Sequence, residues 1–297
     1  METLLFIINP VAGGGKAKRL ISQIQEKMKD NNLKYDIILT TKPKEATKIA
    51  EEKSSLYDVI VAVGGDGTVN EVAKGLINSK NGTLGIIPGG TGNDMSKSLG
   101  LSKDPLEALD IIIRGNKKQI DIGNVNGYQF LNISGLGIDT EVIRRTNIIK
   151  KRINGKLAYI LGVLGTLIDF KMKEITIEID DKKIMRKAVL LAVGNGNFYG
   201  GGMKILPMAN NTDGCFDICL VKNISNFKIL FLFPSIFKGA HLKYKKYVEI
   251  YKGKMVKVIT KEDNVLNLDG ELISLGKEVN FSMDENKLNV IFNEYLS

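Results

Sequence analysis

Three glycine-crowded loops, each following a short apolar run, constrain this chain more than any other feature. They are Asn9-Pro10-Val11-Ala12-Gly13-Gly14-Gly15-Lys16, Gly64-Gly65-Asp66-Gly67-Thr68-Val69-Asn70-Glu71 and Pro88-Gly89-Gly90-Thr91-Gly92-Asn93-Asp94. Glycine loses more backbone freedom on folding than any other residue, so such clusters belong where the main chain must approach something closely. The runs before them, residues 3–8, 58–63 and 84–87, read as buried strands, with a further strand over 33–39. Helical patterns fall at about 16–30, 44–53 and 69–78. Short β-rich runs alternating with helices predict a parallel sheet with crossovers, hence an α/β unit. Ligands bind such sheets at the carboxyl ends of the strands, where these loops lie.

Each loop has its own chemistry. In the first, successive glycines let backbone N–H groups approach an anion, and the following helix adds a favourable dipole. Lys16 is followed by Ala17, so it is not a Walker A loop; read alone it serves equally as a tight turn. GGDGT does not fit the GxGxxG fingerprint. Asp66 suits a magnesium-bound phosphate or a ribose hydroxyl, and Thr68 suits a helix cap. A plain turn would explain one of its glycines, not three. Because the third loop follows the next strand, the spacing points to convergence on one nucleotide-phosphate site.

After about residue 120 the pattern changes. Residues 119–125 and 128–134 flank Asn126-Gly127, a strong hairpin signal. Further pairs are expected at 174–180 with 184–193 around a turn of Asp181, Lys182 and Lys183, at 248–251 with 256–260, and at 280–283 with 288–292. Helical insertions are expected near 141–150 and 156–170. At 297 residues, two unlike domains are expected, with a boundary near 122 and a mainly antiparallel second half.

Cys215 and Cys219 are the two cysteines. At positions i and i+4 of an extended run they lie ~13 Å apart, beyond disulfide reach. With no basic leader at METLLFIINP, a reduced cytoplasm is the expectation. The longest apolar stretches, residues 157–170 and 229–237, fall short of the ~18–20 residues that span a bilayer. With 42 Lys plus Arg against 33 Asp plus Glu, the net charge of +9 suits nucleic acid, an anionic membrane or a phosphorylated ligand. His241 is the only histidine, which excludes a multi-histidine zinc site.

GGDGT followed by PGGTGNDMSKSLG resembles the diacylglycerol kinase catalytic family, specifically the soluble bacterial lipid kinases related to diacylglycerol and sphingosine kinases. NPVAGGGK, the glycine-rich segment 194–217 and Leu268-Asp269-Gly270-Glu271 extend the resemblance nearly end to end. It implies a phosphofructokinase-like nucleotide domain with a parallel sheet, then a β-sandwich domain. The ATP-binding catalytic domain is expected at 1–122, with about 288–297 returning to it, and the lipid-substrate domain at 123–287. ATP is expected in the cleft between them.

By position, Asn9, Pro10, Val11, Ala12, Gly13, Gly64, Gly65, Asp66, Gly67, Thr68, Val69, Asn70 and Thr91 match the family's nucleotide contacts. A further threonine is Thr40 or Thr41, with spacing to Ala46 favouring Thr40; the following KPKEA lacks the glycine often found there. Glu271 matches the general base, and a carboxylate in reach of an alcohol contributes ~10²–10⁴-fold by removing its proton. Asp213 matches the ligand of a structural magnesium, with the carbonyls of Asn210 and Cys215; Asp121 resembles an aspartate linked to that metal through water. Oxygen ligands are what Mg²⁺ requires.

The activity implied is ATP- and Mg²⁺-dependent phosphorylation of a diacylglycerol-like lipid at the cytoplasmic membrane face. GGDGT is shared with NAD kinases, so a kinase for a soluble acceptor is the alternative. Arg144, Arg145, Lys150, Lys151, Arg152 and Lys156 form one basic stretch, and Lys238, Lys243, Lys245, Lys246, Lys252, Lys254, Lys257 and Lys261 form another. Each adjoins an apolar run, which suits peripheral contact with an anionic membrane, although a solvated charged face would look the same. No RNA-recognition signature appears, so nucleic acid is not an expected partner. A homodimer is left open.

Overall fold

A computed structural model describes residues 2–149, 153 and 156–294, the side chains of residues 156 and 159 excepted. Lys150, Lys151, Arg152 and the side chain of Lys156, from the first basic stretch, lie outside the described residues. The chain forms two compact units, one of Met1–Ile122, Gly200–Gly202 and Glu285–Ser297, the other of Gly123–Tyr199 and Met203–Asp284.

The first unit opens with β1 (Thr3–Ile8), α1 (Ala12–Arg19), α2 (Ile21–Asp30), β2 (Lys34–Leu39), α3 (Glu45–Lys53) and β3 (Val59–Gly64). It continues with α4 (Asp66–Ser79), β4 (Thr83–Pro88), α5 (Asp94–Ser98) and α6 (Pro105–Arg114). β5 (Lys117–Val125) carries the chain into the second unit, which holds β6 (Tyr128–Phe130), β7 (Ile133–Gly137), α7 (Ile138–Ile149) and α8 (Lys156–Asp169). There follow β8 (Lys173–Ile179), β9 (Lys182–Gly194), β10 (Phe216–Lys222), α9 (Asn226–Leu232), β11 (Val248–Gly253), β12 (Val256–Thr260), β13 (Asn264–Leu268) and β14 (Glu271–Leu275). β15 (Glu278–Ile291) runs back into the first unit.

In the first unit β2, β1, β3 and β4 are parallel neighbours in that order, and β15 joins β4 in parallel through Asn289 and Val290. β3 and β4 are buried at every position. This is why they read as unbroken apolar runs: helices cover both faces of a parallel sheet. The register Ile8↔Val63 and Gly64↔Pro88 aligns the ends of β1, β3 and β4, so all three glycine loops leave the same edge. α6 is an addition to the sequence reading. Its Asp104 carboxylate accepts from Leu106 N (2.8 Å) and Glu107 N, Pro105 opens the helix, and Gly115 closes it at φ +75°. The helix expected over 16–30 is two helices that break at Leu20, and Gly13, Gly14 and Gly15 ahead of it take φ of +59°, +68° and +85°.

The second unit is an antiparallel β-sandwich. β14, β13, β7, β9, β8, β12 and β15 are successive neighbours, while β10 pairs with β9 and β11. Its core centres on Phe130, Phe216 and Phe281, with ring centroids 5.9–6.3 Å apart. The Asn126-Gly127 hairpin forms between β5 and β6, both turn residues at positive φ. Three turn readings need correction. Ile179 faces Lys182, so Asp180 and Asp181 make the β8–β9 turn, with Asp180 at φ +47°. β11 and β12 do not pair with each other: β11 joins β10, and β12 joins β8 and β15. The pair expected at 280–292 is a single strand, β15; its polar middle, Asp284 to Lys287, lies where the strand passes from one unit to the other.

Candidate functional site

The edge of the first unit is built by backbone contact between glycines. A Cβ on Gly13 would stand 2.1 Å from the Gly89 carbonyl oxygen, and one on Gly90 would stand 2.4 Å from Gly65 Cα. Gly89 N donates to Gly64 O at 2.7 Å. The spacing argument for convergence therefore holds in space, with the first and second loops each meeting the third. Pro10, Val11 and Ala12 form the turn from β1 to Gly13; Asn9 Oδ1 accepts from Val11 N at 3.2 Å and Asn9 Nδ2 donates to Thr68 Oγ1 at 3.3 Å. Thr68 is thus not the helix cap expected of it: Gly65 is the N-cap residue of α4 and supplies no side chain. The N–H groups of Asp66, Gly67 and Thr68 occupy the helix start, where no intrahelical acceptor exists, and form the donor set an anion would use. Val69 is buried in the first turn of α4, so any ligand reaches only its backbone, while Asn70 is half-buried. Thr91 is exposed and lines a cleft of about 230 Å³ with Asn93, Lys97, Ser102 and Lys103.

Two carboxylates brace these loops. Asp66 Oδ1 accepts from Asp94 N at 2.6 Å, and Asp94 Oδ2 accepts from Gly201 N at 2.7 Å. Lys97 Nζ donates to Gly92 O (2.6 Å) and lies 3.3 Å from Asp94 Oδ1. Burial, then the Asp94 charge, pushes the Asp66 carboxyl above its ordinary value. Asp66 thereby ties the second loop to the third.

The two threonines after β2 separate. Thr40 N donates to Ile8 O at 2.9 Å, which places Thr40 beside Asn9 at the end of β1. Thr41 is engaged with the Glu45 carboxylate through both its N–H and its hydroxyl. Where a glycine was missing, Lys44 takes the left-handed conformation at φ +65°, held by the Glu71 carboxylate, which accepts from Lys44 N (3.0 Å) and Ala46 N (3.3 Å).

In the second unit Glu271 starts β14 and is exposed. Its turn is rigid because Asp269 is clamped: the Asp269 carboxylate accepts from Leu131 N (2.7 Å), Asn132 N (3.0 Å) and Ile133 N (2.9 Å). Asp269 and Gly270 sit at φ +47° and +100°, and Gly270 N donates to Asn267 Oδ1. Asn267 Nδ2 in turn reaches Asp139 Oδ2 at 3.2 Å. Burial pushes the Asp139 carboxyl up to about 6, the Asn267 bond opposing it, and Oδ1 has no hydrogen-bond partner.

Asn210, Asp213 and Cys215 share one loop, where Asp213 Oδ1 accepts from Cys215 N and Asn210 Oδ1 accepts from Thr212. Lys252 Nζ lies 2.5 Å from Asp213 Oδ2 and 4.0 Å from Asp217 Oδ2, a buried oxygen with no hydrogen-bond partner. This oxygen-only set fits a hard divalent cation, with Asp217 added to the residues expected and Lys252 as a competing cation. No cluster of three or more metal-ligating side chains occurs among the described residues. Asp121 belongs to the first unit and pairs with Lys287 at 2.8 Å.

Residues 3–125 match the diacylglycerol kinase catalytic domain model, and residues 132–291 match the YegS C-terminal NAD kinase beta sandwich-like domain model. A diacylglycerol kinase of Bacillus subtilis (strain 168) is 35% identical over 274 residues, 91% of this chain and 90% of that one. The chain belongs to the diacylglycerol kinase family. With that family it is a lipid kinase. A crystal structure of a diacylglycerol kinase from Bacillus anthracis str. Sterne aligns with a TM-score of 0.77 and 26% identity, covering 100% of this chain and 98% of that one. An NAD kinase from Archaeoglobus fulgidus, solved in complex with ATP, aligns at a TM-score of 0.53 and 14% identity, covering 99% of this chain and 94% of that one, a likeness of fold alone.

For this lipid kinase, sequence reasoning named the glycine loops and the DGE turn but missed what fixes them: Asp94, Gly201 and Asp269 as clamp; it also missed Glu71 under Lys44 and Asp217 beside Lys252. Each acts through partners far away in sequence. Asp94 and Asp269 stood inside quoted motifs, yet no spacing rule points from them to residue 201 or to residues 131–133.

Proposed function

We propose that this lipid kinase transfers the γ-phosphoryl group of ATP to the free hydroxyl of diacylglycerol or a closely related lipid, with Mg²⁺, at the cytoplasmic face of a membrane it contacts peripherally. One observation carries the nucleotide half of this reading. Three glycine loops meet backbone to backbone at one sheet edge beside the amino-terminal N–H groups of α4, with glycines at the points of contact. Asn9 to Gly13, Thr40, Gly64 to Asn70 and Thr91 then hold the nucleotide. Glu271 takes the proton of the acceptor alcohol, its turn fixed by Asp269. Asp213 with the carbonyls of Asn210 and Cys215 would hold a structural magnesium, and magnesium carried with the nucleotide would neutralise phosphate charge. The residues 1–122 with the returning C-terminal segment serve ATP, and the second unit serves the lipid.

The family match over both units favours a lipid over a soluble acceptor. Incubation with labelled ATP and a panel of diacylglycerol, ceramide, sphingosine and NAD decides it. Label is expected in phosphatidic acid; label in NADP alone would replace the lipid reading by the soluble one.

A further inference from the structure

The short helix α9 presents two phenylalanines to solvent on one side. Phe227 is 71% exposed and Phe231 66% exposed, and their rings meet edge to face at 4.9 Å. Neither fills the core, whereas Ile229 and Phe233, on the other side of the segment, pack against Val142, Val163 and Leu167. Asn226 Nδ2 donates to Phe170 O at 3.1 Å and so seats the start of α9 at the end of α8. The adjoining α8 carries Leu157, Ile160, Leu161, Leu164 and Ile168 exposed, at i, i+3, i+4, i+7 and i+11, a single helical stripe. Exposed apolar side chains scattered singly need no account, but a periodic stripe beside an exposed aromatic pair is a contact surface.

Charge selects the partner. Residues 223–248 contain five lysines and no acid, while Lys222 just before them is paired with Glu249. Lys228 of α9 lies over the Tyr247 ring at 5.6 Å and donates to its hydroxyl, and Lys246 lies over the same ring at 5.7 Å, so Tyr247 brings Lys246 to α9. Lys238, Lys243 and Lys245 of the same segment are exposed. The rest of the second basic stretch is largely neutralised, with Lys252 on Asp213, Lys257 on Glu278 and Lys261 on Glu174. Arg145 of the first stretch is likewise held by Glu141 and Asp169. Among the described residues of the two stretches, the attraction to an anionic surface is thereby concentrated at 228–246. A second copy of the same patch would bring lysine against lysine in a two-fold interface, whereas an anionic bilayer offers both a phosphate plane and an apolar interior.

We infer that α9 is the membrane anchor of this protein: Phe227 and Phe231 enter the acyl boundary of an anionic bilayer while Lys228, Lys238, Lys243, Lys245 and Lys246 engage the headgroup phosphates. The inference rests on the reading above of a membrane-borne acceptor, and narrows its contact to one short segment. Co-sedimentation of the full chain with phosphatidylcholine vesicles, with and without phosphatidylglycerol, tests it in the absence of nucleotide. Phe227→Ser with Phe231→Ser should weaken binding to the anionic vesicles at least about tenfold. Met185→Ser, which removes a 70% exposed side chain on β9, should bind as the parent does. Wild-type binding to the anionic vesicles should fall with added salt. Equal binding by the parent and the double Phe variant overturns the inference. So does a parent that ignores vesicles and sediments as a dimer which the double variant breaks. Phosphate transfer to detergent-dispersed diacylglycerol, measured separately, should survive in the double variant; its absence in the parent would sink the kinase reading while leaving the vesicle result standing.

Discussion

At the residue scale the two carboxylates near the DGE turn differ in environment, and each makes a prediction. Glu271 is exposed on a turn that Asp269 fixes through three consecutive amides. Glu271→Gln keeps the shape but cannot accept a proton, so kcat is expected to fall at least ~10²-fold with ATP affinity nearly intact. Steady-state kinetics with calorimetry for ATP measures this, and a fall under about tenfold would make Glu271 a turn residue only. Asp139 is buried with its carboxyl at about 6 against an ordinary 3.8. Between those values the folded chain keeps a proton the unfolded chain has released, so stability is full below the lower value and falls as pH climbs through the higher one. Relative to the unfolded chain, the charged form costs the fold roughly 3 kcal/mol at neutral pH. Asp139→Asn should therefore unfold at higher urea than the parent near neutral pH, with the gap closing at about pH 4. A variant weakened equally at both would show instead that the Asp139 carboxylate is needed as an acceptor.

At the scale of elements, the glycine loops separate two costs that a sequence shows as one. Gly13 and Gly14 both take left-handed φ, at +59° and +68°. A side chain on Gly14 meets nothing within 4 Å, but one on Gly13 meets the Gly89 carbonyl. Gly14→Ala should cost only the left-handed strain, roughly 1–2 kcal/mol. Gly13→Ala adds a backbone clash, so it should lower the melting temperature further and weaken ATP binding. Equal effects of the two on nucleotide affinity would separate the first loop from the phosphate site. The β10–β11 pair makes a second case, because Asp217 faces Lys252 in register and Asp213 shares the same ammonium. Lys252→Met leaves those carboxylates without their cation, so Mg²⁺ should raise the variant's melting temperature more than the parent's. A Mg²⁺ response that Lys252→Met leaves unchanged, or one that survives Asp213→Ala, would place the ion elsewhere.

At the scale of the whole molecule, two cores are joined by strands that belong to both units. β15 pairs with β12 at one end and with β4 at the other, and Val290 is fully buried beside Leu84. Removing residues 285–297 should uncover β4 and collapse the cooperative melting of the first unit, with limited proteolysis cutting it before the second. A truncated chain that melts like the parent would make the returning strand dispensable. Among the described residues no helix is long and apolar enough to cross a membrane. What sequence alone determined is what depends on neighbours in the chain. The apolar runs of β1, β3 and β4 marked strands buried on both faces, the glycines marked close backbone approach, and Asn126-Gly127 marked a hairpin. The bonds that make those pieces into a site join residues distant in sequence: Asp66 to Asp94, Asp94 to Gly201, Asp269 to Leu131 through Ile133. The continuity of β15 through its polar middle was likewise invisible, because charge there reads as a turn until the strand is seen to leave one core for the other. The basic stretches were legible as charge, but only folding decided which lysines meet acids and which stand beside exposed Phe227 and Phe231, since an ion pair depends on distance in space and a linear pattern records none.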